Sequence, residues 1–248
     1  VLDFFGIRAE EKAAIKLAGW FEERQLRKRA PGLYALTLDG DFALSSLKEC
    51  LPPSAGGPLL IFLHGTASST EGSFGKLWAG DNACGQDALR RLEAGYSGRA
   101  FAFEHRSLTE SPVENALDLA RQLPNGAELH LLSHSRGGLV GELLCLGQCA
   151  DLPGKLSAAN LDTLFAADRT ISEQLGLRPL SPTDARERDA AYEADRKALA
   201  ELLKLLAEKS IRVTRFVRAA CPARGTTLAS GRLDRWLSIL DFLAGRDS

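Results

Sequence analysis

Five consecutive apolar residues, Leu59-Leu60-Ile61-Phe62-Leu63, run directly into His64-Gly65-Thr66. A strand with one wet face alternates apolar and polar side chains, so an unbroken run of this kind belongs to a strand buried on both faces. Residues 99–104, 128–132 and 211–217 are three more strand segments. Helical patterns stand between them. A helix begins at 87–92, another covers 113–123 with Ser111 as N-cap ahead of Pro112, and a third covers 136–146. Strand and helix in alternation predict an α/β fold, a mostly parallel sheet covered by helices on both faces. Ligands of such sheets bind beyond the carboxyl ends of the strands. His64, His105 and Ser135 each stand just past the end of a predicted strand.

The rest of the chain fits around this unit. Residues 9–29 read as a charged amphipathic helix with Ile15, Leu17, Ala18, Phe21 and Leu26 on its apolar face, stopped by Pro31-Gly32. Residues 33–38 and 42–47 read as a hairpin turning at Asp39-Gly40. The Gly- and Ser-rich stretch 68–82 reads as a loop. Residues 151–209 interrupt the alternation as a helical insertion, a cap in a hydrolase or plain helical packing otherwise. Its second part, 184–209, is one long helix with Leu199, Leu202, Leu203 and Leu206 on one face. A last helix is expected at 228–244. All 248 residues are read as one domain.

Charge excludes one class of partner. A net charge of -1 gives no electrostatic footprint for nucleic acid. No apolar run is long enough to cross a membrane. The five cysteines, Cys50, Cys84, Cys145, Cys149 and Cys221, form no CxxC pair, so neither a metal site nor another cofactor is expected. Their odd number and scatter suit a reducing compartment, and a cytoplasmic location is expected. The chain holds no Met and starts at Val1, which reads as a fragment of a longer chain or as a sequence with methionines missing.

The segment carrying chemistry is His130-Leu131-Leu132-Ser133-His134-Ser135-Arg136-Gly137-Gly138. A nucleophilic serine on a sharp strand-to-helix turn needs small residues two before and two after it, because larger side chains collide with neighbouring backbone. Ser133 and Gly137 occupy those positions. Ser135 Oγ would then stand at a helix N-terminus, where unpaired N–H groups favour a developing oxyanion.

This segment resembles the Gly-His-Ser-x-Gly-Gly elbow of lipases and other α/β-hydrolases, with Ser133 in place of the first glycine. His64-Gly65-Thr66 resembles their His-Gly oxyanion loop. The resemblance implies that the backbone N–H of Thr66 or Ala67 joins that of Arg136 in holding an oxyanion, with His64 orienting the loop and His134 packing away from the reaction. The stretches 104–112 and 220–228, the latter running into Leu233-Asp234-Arg235-Trp236, look like a poorly characterised bacterial α/β-hydrolase family often found beside caspase-like CHAT domains. That likeness covers residues 30 to 245 and implies partner domains in a longer chain.

The triad of this fold runs Ser, then Asp or Glu, then His along the chain. No histidine follows Ser135, and the C-terminal strands that would carry the acid and histidine are missing from the pattern. His130 reads as a satisfied strand residue. His105 remains as a structural, positioning or basic residue, and Asp234 or Asp241 as the acid. Three explanations stand side by side: a truncated chain, a rearranged site using His105, or a hydrolase-fold domain that binds without catalysis. The expected substrate is a small acyl compound, attacked by Ser135. A nucleotide-binding fold is disfavoured, because no strand runs into G-x-G-x-x-G or a P-loop lysine.

Overall fold

A computed structural model describes residues 19–26, 29–47, 56–148 and 182–221. Their elements are β1 (Gly32–Leu36), β2 (Leu44–Ser46), β3 (Leu59–Leu63), α1 (Thr70–Phe74), α2 (Ala83–Tyr96), β4 (Ala100–Glu104), α3 (Pro112–Gln122), β5 (Glu128–His134), α4 (Gly137–Cys145), α5 (Pro182–Glu208) and β6 (Arg212–Ala219). Residues 19–25 are helical as well. The strands form one six-stranded sheet in the order β2-β1-β4-β3-β5-β6, so the fold is mixed α/β.

Parallel pairing joins β4 to β3, β3 to β5 and β5 to β6. The expected hairpin is present, and it makes the sheet partly antiparallel: β1 runs against both β2 and β4. Gly40 supplies the positive φ of 78° in the turn between them.

Strand order fixes where a ligand can bind. From β3 the chain moves to β4 on one side, and from β5 it moves to β6 on the other. Connections therefore leave the adjacent strands β3 and β5 in opposite directions along the sheet. A crevice opens outside their carboxyl ends at such a switch point. The residues beside it are His64 to Ala67 after β3 and Ser135 after β5.

Alternation along the buried strands divides the core in two. Leu60, Phe62, Ala100 and Ala102 pack with Phe74, Trp78 and Leu89 from the α1–α2 region. Phe62 meets Phe74 edge-on at 5.1 Å between ring centres. On the other face Leu59, Ile61, Leu63, Phe101, Phe103, Leu129 and Leu131 are buried, and there α3 packs on α4, which in turn packs on β3, β5 and β6.

The α3 helix shows how the sequence sets its limits. Ser111 Oγ accepts from Glu114 N, the Glu114 carboxylate accepts from Ser111 N, and Pro112 occupies the first turn. At the other end Lys209 Nζ donates to the carbonyls of Ala120, Arg121 and Leu123 at 3.0, 2.8 and 2.7 Å. A lysine there satisfies the orphan carbonyls and complements the helix dipole.

One expected loop is structured. Residues 68–82 contain α1 and a 3₁₀ turn, Gly75–Trp78. Ser69 Oγ caps α1 by accepting from Gly72 N at 3.1 Å. A five-residue helix containing Gly72 and followed by Gly75 is too short and too glycine-rich to show a helical period.

The chain divides into two compact units, Val1–Cys149 with Glu201–Cys221, and Ala150–Ala200 with Pro222–Ser248. The sheet and its helices belong to the first. In the second the described residues are helical. Leu199, Leu202 and Leu206 of the expected α5 stripe are buried. The expected first half of the insertion, the start of the N-terminal helix, Cys50, Cys149, Asp234, Asp241 and the expected last helix lie outside the described residues. Among the described residues no helix is long and apolar enough to cross a membrane.

Candidate functional site

Ser135 links β5 to α4 in a conformation few serines adopt. Its φ is +51°, the left-handed region that crowds a Cβ. Among the described residues five non-glycine residues share a positive φ. Ser97 and Ser210 end helices, where this is common, but Ala67, Ser135 and Ala220 follow the carboxyl ends of β3, β5 and β6. Backbone strain of this kind collects at functional sites, because the surrounding structure must hold it in place. Here Ser135 N donates to Ala219 O at 3.0 Å, and Ser135 O accepts from Gly138 N at 3.0 Å.

The turn also depends on close approach. A Cβ on Gly137 would collide with the carbonyl oxygens of Leu63 and His64, so only glycine lets α4 start this near to β3. On the opposite lip a Cβ on Gly65 would stand 2.9 Å from Ser135 Cβ and 3.1 Å from His134 Nδ1. Ser133 fits where lipases carry glycine: it is fully buried, and its hydroxyl donates to Val217 O at 3.4 Å.

The expected oxyanion donors are narrowed by what they bond. Gly65 N donates to Ser73 Oγ at 3.2 Å and Ala67 N to Ser107 Oγ at 2.8 Å. Thr66, exposed between them, makes no hydrogen bond among the described residues. Of the two residues on that loop, Thr66 is therefore the one whose N–H is available. Arg136 is held by its side chain, with Nη1 donating to Asn115 Oδ1 at 2.9 Å and Nη2 to Glu110 O at 2.5 Å. Asn115, fully buried, passes the contact on through Nδ2 to Glu110 Oε2 at 2.8 Å.

All four histidines are described, and none hydrogen-bonds Ser135. His64 is committed on both sides: Nδ1–H donates to Gly65 O at 2.9 Å and Nε2 accepts from His105 N at 3.2 Å. Burial pushes its pKa down, with Glu104, the next cause, acting the other way. His105 stacks on His64 at 3.9 Å and donates from Nδ1 to Phe103 O. Burial first, then His64 and Arg136, hold it well below 6.5, so it stays neutral. The expected positioning or basic role of His105 at Ser135 gains no contact. His130 bonds Tyr96 Oη, as a satisfied strand histidine should. His134 Nδ1 is buried and has no hydrogen-bond partner among the described residues.

Polar burial is concentrated at this edge. Glu22, His64, Ser69, Thr70, Glu104, His105, Ser107, Asn115 and Ser133 are all buried there. Glu22 was not singled out by sequence. Its carboxylate accepts from Leu108 N and Thr109 Oγ1, each at 2.5 Å, and so pins the loop after β4. Burying so many polar groups at one end of a sheet costs stability unless each is bonded. Thr70 Oγ1, Glu104 Oε2, His105 Nε2 and His134 Nδ1 are not.

A pocket of about 190 Å³ opens beside this edge, lined in part by Gly32, Phe103, His105, Glu110 and Arg121. It lies between the start of β1, the end of β4 and α3, and Ser135 does not line it. Among the described residues no group of His, Cys, Asp and Glu could hold a metal ion.

The model of one family, DUF7379, a domain of unknown function, matches residues 25–167, more than half of the chain and all of the region from β1 through α4. The chain belongs to the DUF7379 family. No curated protein and no solved structure matches it. The DUF7379 match contains Thr66, His105, Ser135 and Arg136, whereas β6 and Cys221 lie outside it.

Proposed function

We propose that this DUF7379 domain is a serine hydrolase of α/β-hydrolase fold that cleaves small acyl compounds, with Ser135 as nucleophile. The observation carrying the reading is the φ of +51° at Ser135, on a turn wedged between β5 and α4 at the switch point of the sheet. Strain there lifts the hydroxyl out of the backbone at the open edge, as nucleophilic attack requires. In the reaction Ser135 Oγ attacks the acyl carbonyl carbon. The oxygen that gains charge is stabilised by the backbone N–H groups of Thr66 and Arg136, at the lip of β3 and the start of α4. The free thiols of Cys84 and Cys221 support a reducing, cytoplasmic setting.

A second reading is favoured by one observation, that Ser135 hydrogen-bonds no histidine. A serine hydroxyl without a base is a weak nucleophile. On that reading the strained edge binds a ligand without turning it over.

A fluorophosphonate probe separates the two. Hydrolysis predicts covalent labelling of the wild-type chain and none of Ser135→Ala. An unlabelled wild type, beside a control esterase that labels, leaves the binding reading.

A further inference from the structure

We infer that His134, the residue directly before the nucleophile, is the proton acceptor for Ser135. The inference rests on the hydrolase reading and supplies the group that reading lacks. Elimination brings His134 forward. His64 has both ring nitrogens engaged, His130 is bonded to Tyr96, and His105, whose Nε2 is unpartnered, has its ring stacked on that of His64 after β4 rather than on the elbow. His134 keeps an unengaged nitrogen on the elbow itself, against Gly65.

Geometry places that nitrogen. A methyl group on Gly65 would lie 2.9 Å from Ser135 Cβ and 3.1 Å from His134 Nδ1. The two atoms are therefore no farther apart than those two lengths laid end to end. That bound leaves room for one intervening water to complete a proton path between Oγ and Nδ1. Two neighbours along a strand ordinarily point to opposite faces. The left-handed φ of Ser135 breaks the alternation and brings both residues to Gly65.

The ring is also oriented for the task. Nδ1 is buried without a hydrogen-bond partner, and with the ring proton on Nε2 its lone pair is free to take the serine proton. Phe74 packs edge-on against the ring, at 6.3 Å between centres, and restricts its rotation. Such a buried lone pair has no structural partner to justify its cost.

The step balances. As Oγ bonds to the acyl carbon, the O–H bond of Ser135 breaks and its proton passes to Nδ1. The carbonyl π pair moves onto oxygen. When the tetrahedral centre collapses, the leaving group departs with the proton from Nδ1, leaving an acyl-serine and a neutral imidazole. Water then attacks the acyl carbon, giving its proton to Nδ1, and that proton returns to Oγ as the acid product leaves.

The test follows the rate of fluorophosphonate labelling in the full chain, with circular dichroism as a check on folding. His134→Ala is expected to slow labelling by about a hundredfold or more, and added imidazole to restore much of it. Rescue by imidazole and not by pyrazole, a ring of similar shape with almost no basicity, separates a base from a packing role. Should His134→Ala fail to fold, His134→Asn keeps the bulk near Gly65 without a basic nitrogen, and the same slowing is expected. Variants labelled at the wild-type rate, or slowed ones that imidazole does not restore, overturn the role of His134 and leave the hydrolase reading standing. A wild type that takes no label overturns both.

Discussion

Gly65 and Ser135 face each other across the crevice between β3 and β5, close enough that a methyl group on Gly65 would stand 2.9 Å from Ser135 Cβ. Gly65→Ala must push the elbow, His134 or the loop away. Overpacking of this kind costs about 1–3 kcal/mol. We expect a lower urea midpoint and loss of fluorophosphonate labelling. Unchanged labelling would mean that the two lips do not form one site.

Strain at Ser135 predicts that stability and function part company. Ser135→Gly removes the Cβ from a left-handed backbone, a relief of about 1 kcal/mol net of glycine's added chain entropy. Ser135→Ala keeps the Cβ and gains nothing. Thermal melts should place Ser135→Gly above both wild type and Ser135→Ala, with both variants unlabelled. Equal melting temperatures for the two variants would remove the strain from the account.

Gly137 reports on the strand-helix junction without bearing any reactive group. A Cβ there would collide with the Leu63 and His64 carbonyls, which are backbone and cannot swing aside. Gly137→Ala should cost about 3 kcal/mol, the upper end of overpacking, read as a fall in unfolding free energy by denaturant titration.

Much of this was visible in the sequence, for definite reasons. The buried strand Leu59–Leu63 shows as an unbroken apolar run, and α3 shows its cap at Ser111-Pro112. The small residues around Ser135 mark a sharp turn. What stayed hidden depends on contacts distant in the chain. Glu22 reaches a loop more than eighty residues away. Asn115 looks like an ordinary helix residue until Arg136 and Glu110 meet on it. The orientation of His134 follows from the φ of its neighbour, which no residue pattern states. Residues 68–82 resembled a loop because α1 is a single short turn held by its cap and packing rather than by periodicity.

The stacked pair His64 and His105 gives the fold a pH dependence. Burial is the main cause lowering both, His105 well below the ordinary 6.5. Above that value neither the folded nor the unfolded chain protonates these rings, and their contribution is level. As pH falls below about 6.5 the unfolded chain takes up protons that the folded chain refuses, so stability declines. Each histidine can contribute a slope of up to about 1.4 kcal/mol per pH unit until its folded pKa is reached. Urea titrations between pH 8 and pH 5.5 should show the decline setting in below about 6.5. His105→Phe, which keeps an aromatic ring beside Phe103 and His64, should make it shallower.

The clamp on Arg136 is separable from the nucleophile. Asn115→Ala removes one partner from Arg136 and one from Glu110 in a buried setting. Losing these bonds should cost about 1–3 kcal/mol. Because the clamp holds the residue proposed to donate its N–H to the oxyanion, labelling should slow too. A stability loss with no change in labelling would confine Asn115 to a structural role.

The most direct test of the account is peptide mapping by mass spectrometry after fluorophosphonate treatment of the full chain. The prediction is one adduct, on Ser135, in wild type and none on that peptide in Ser135→Ala. An unmodified Ser135 peptide, or an equal adduct elsewhere in both proteins, would contradict the assignment of Ser135 as nucleophile.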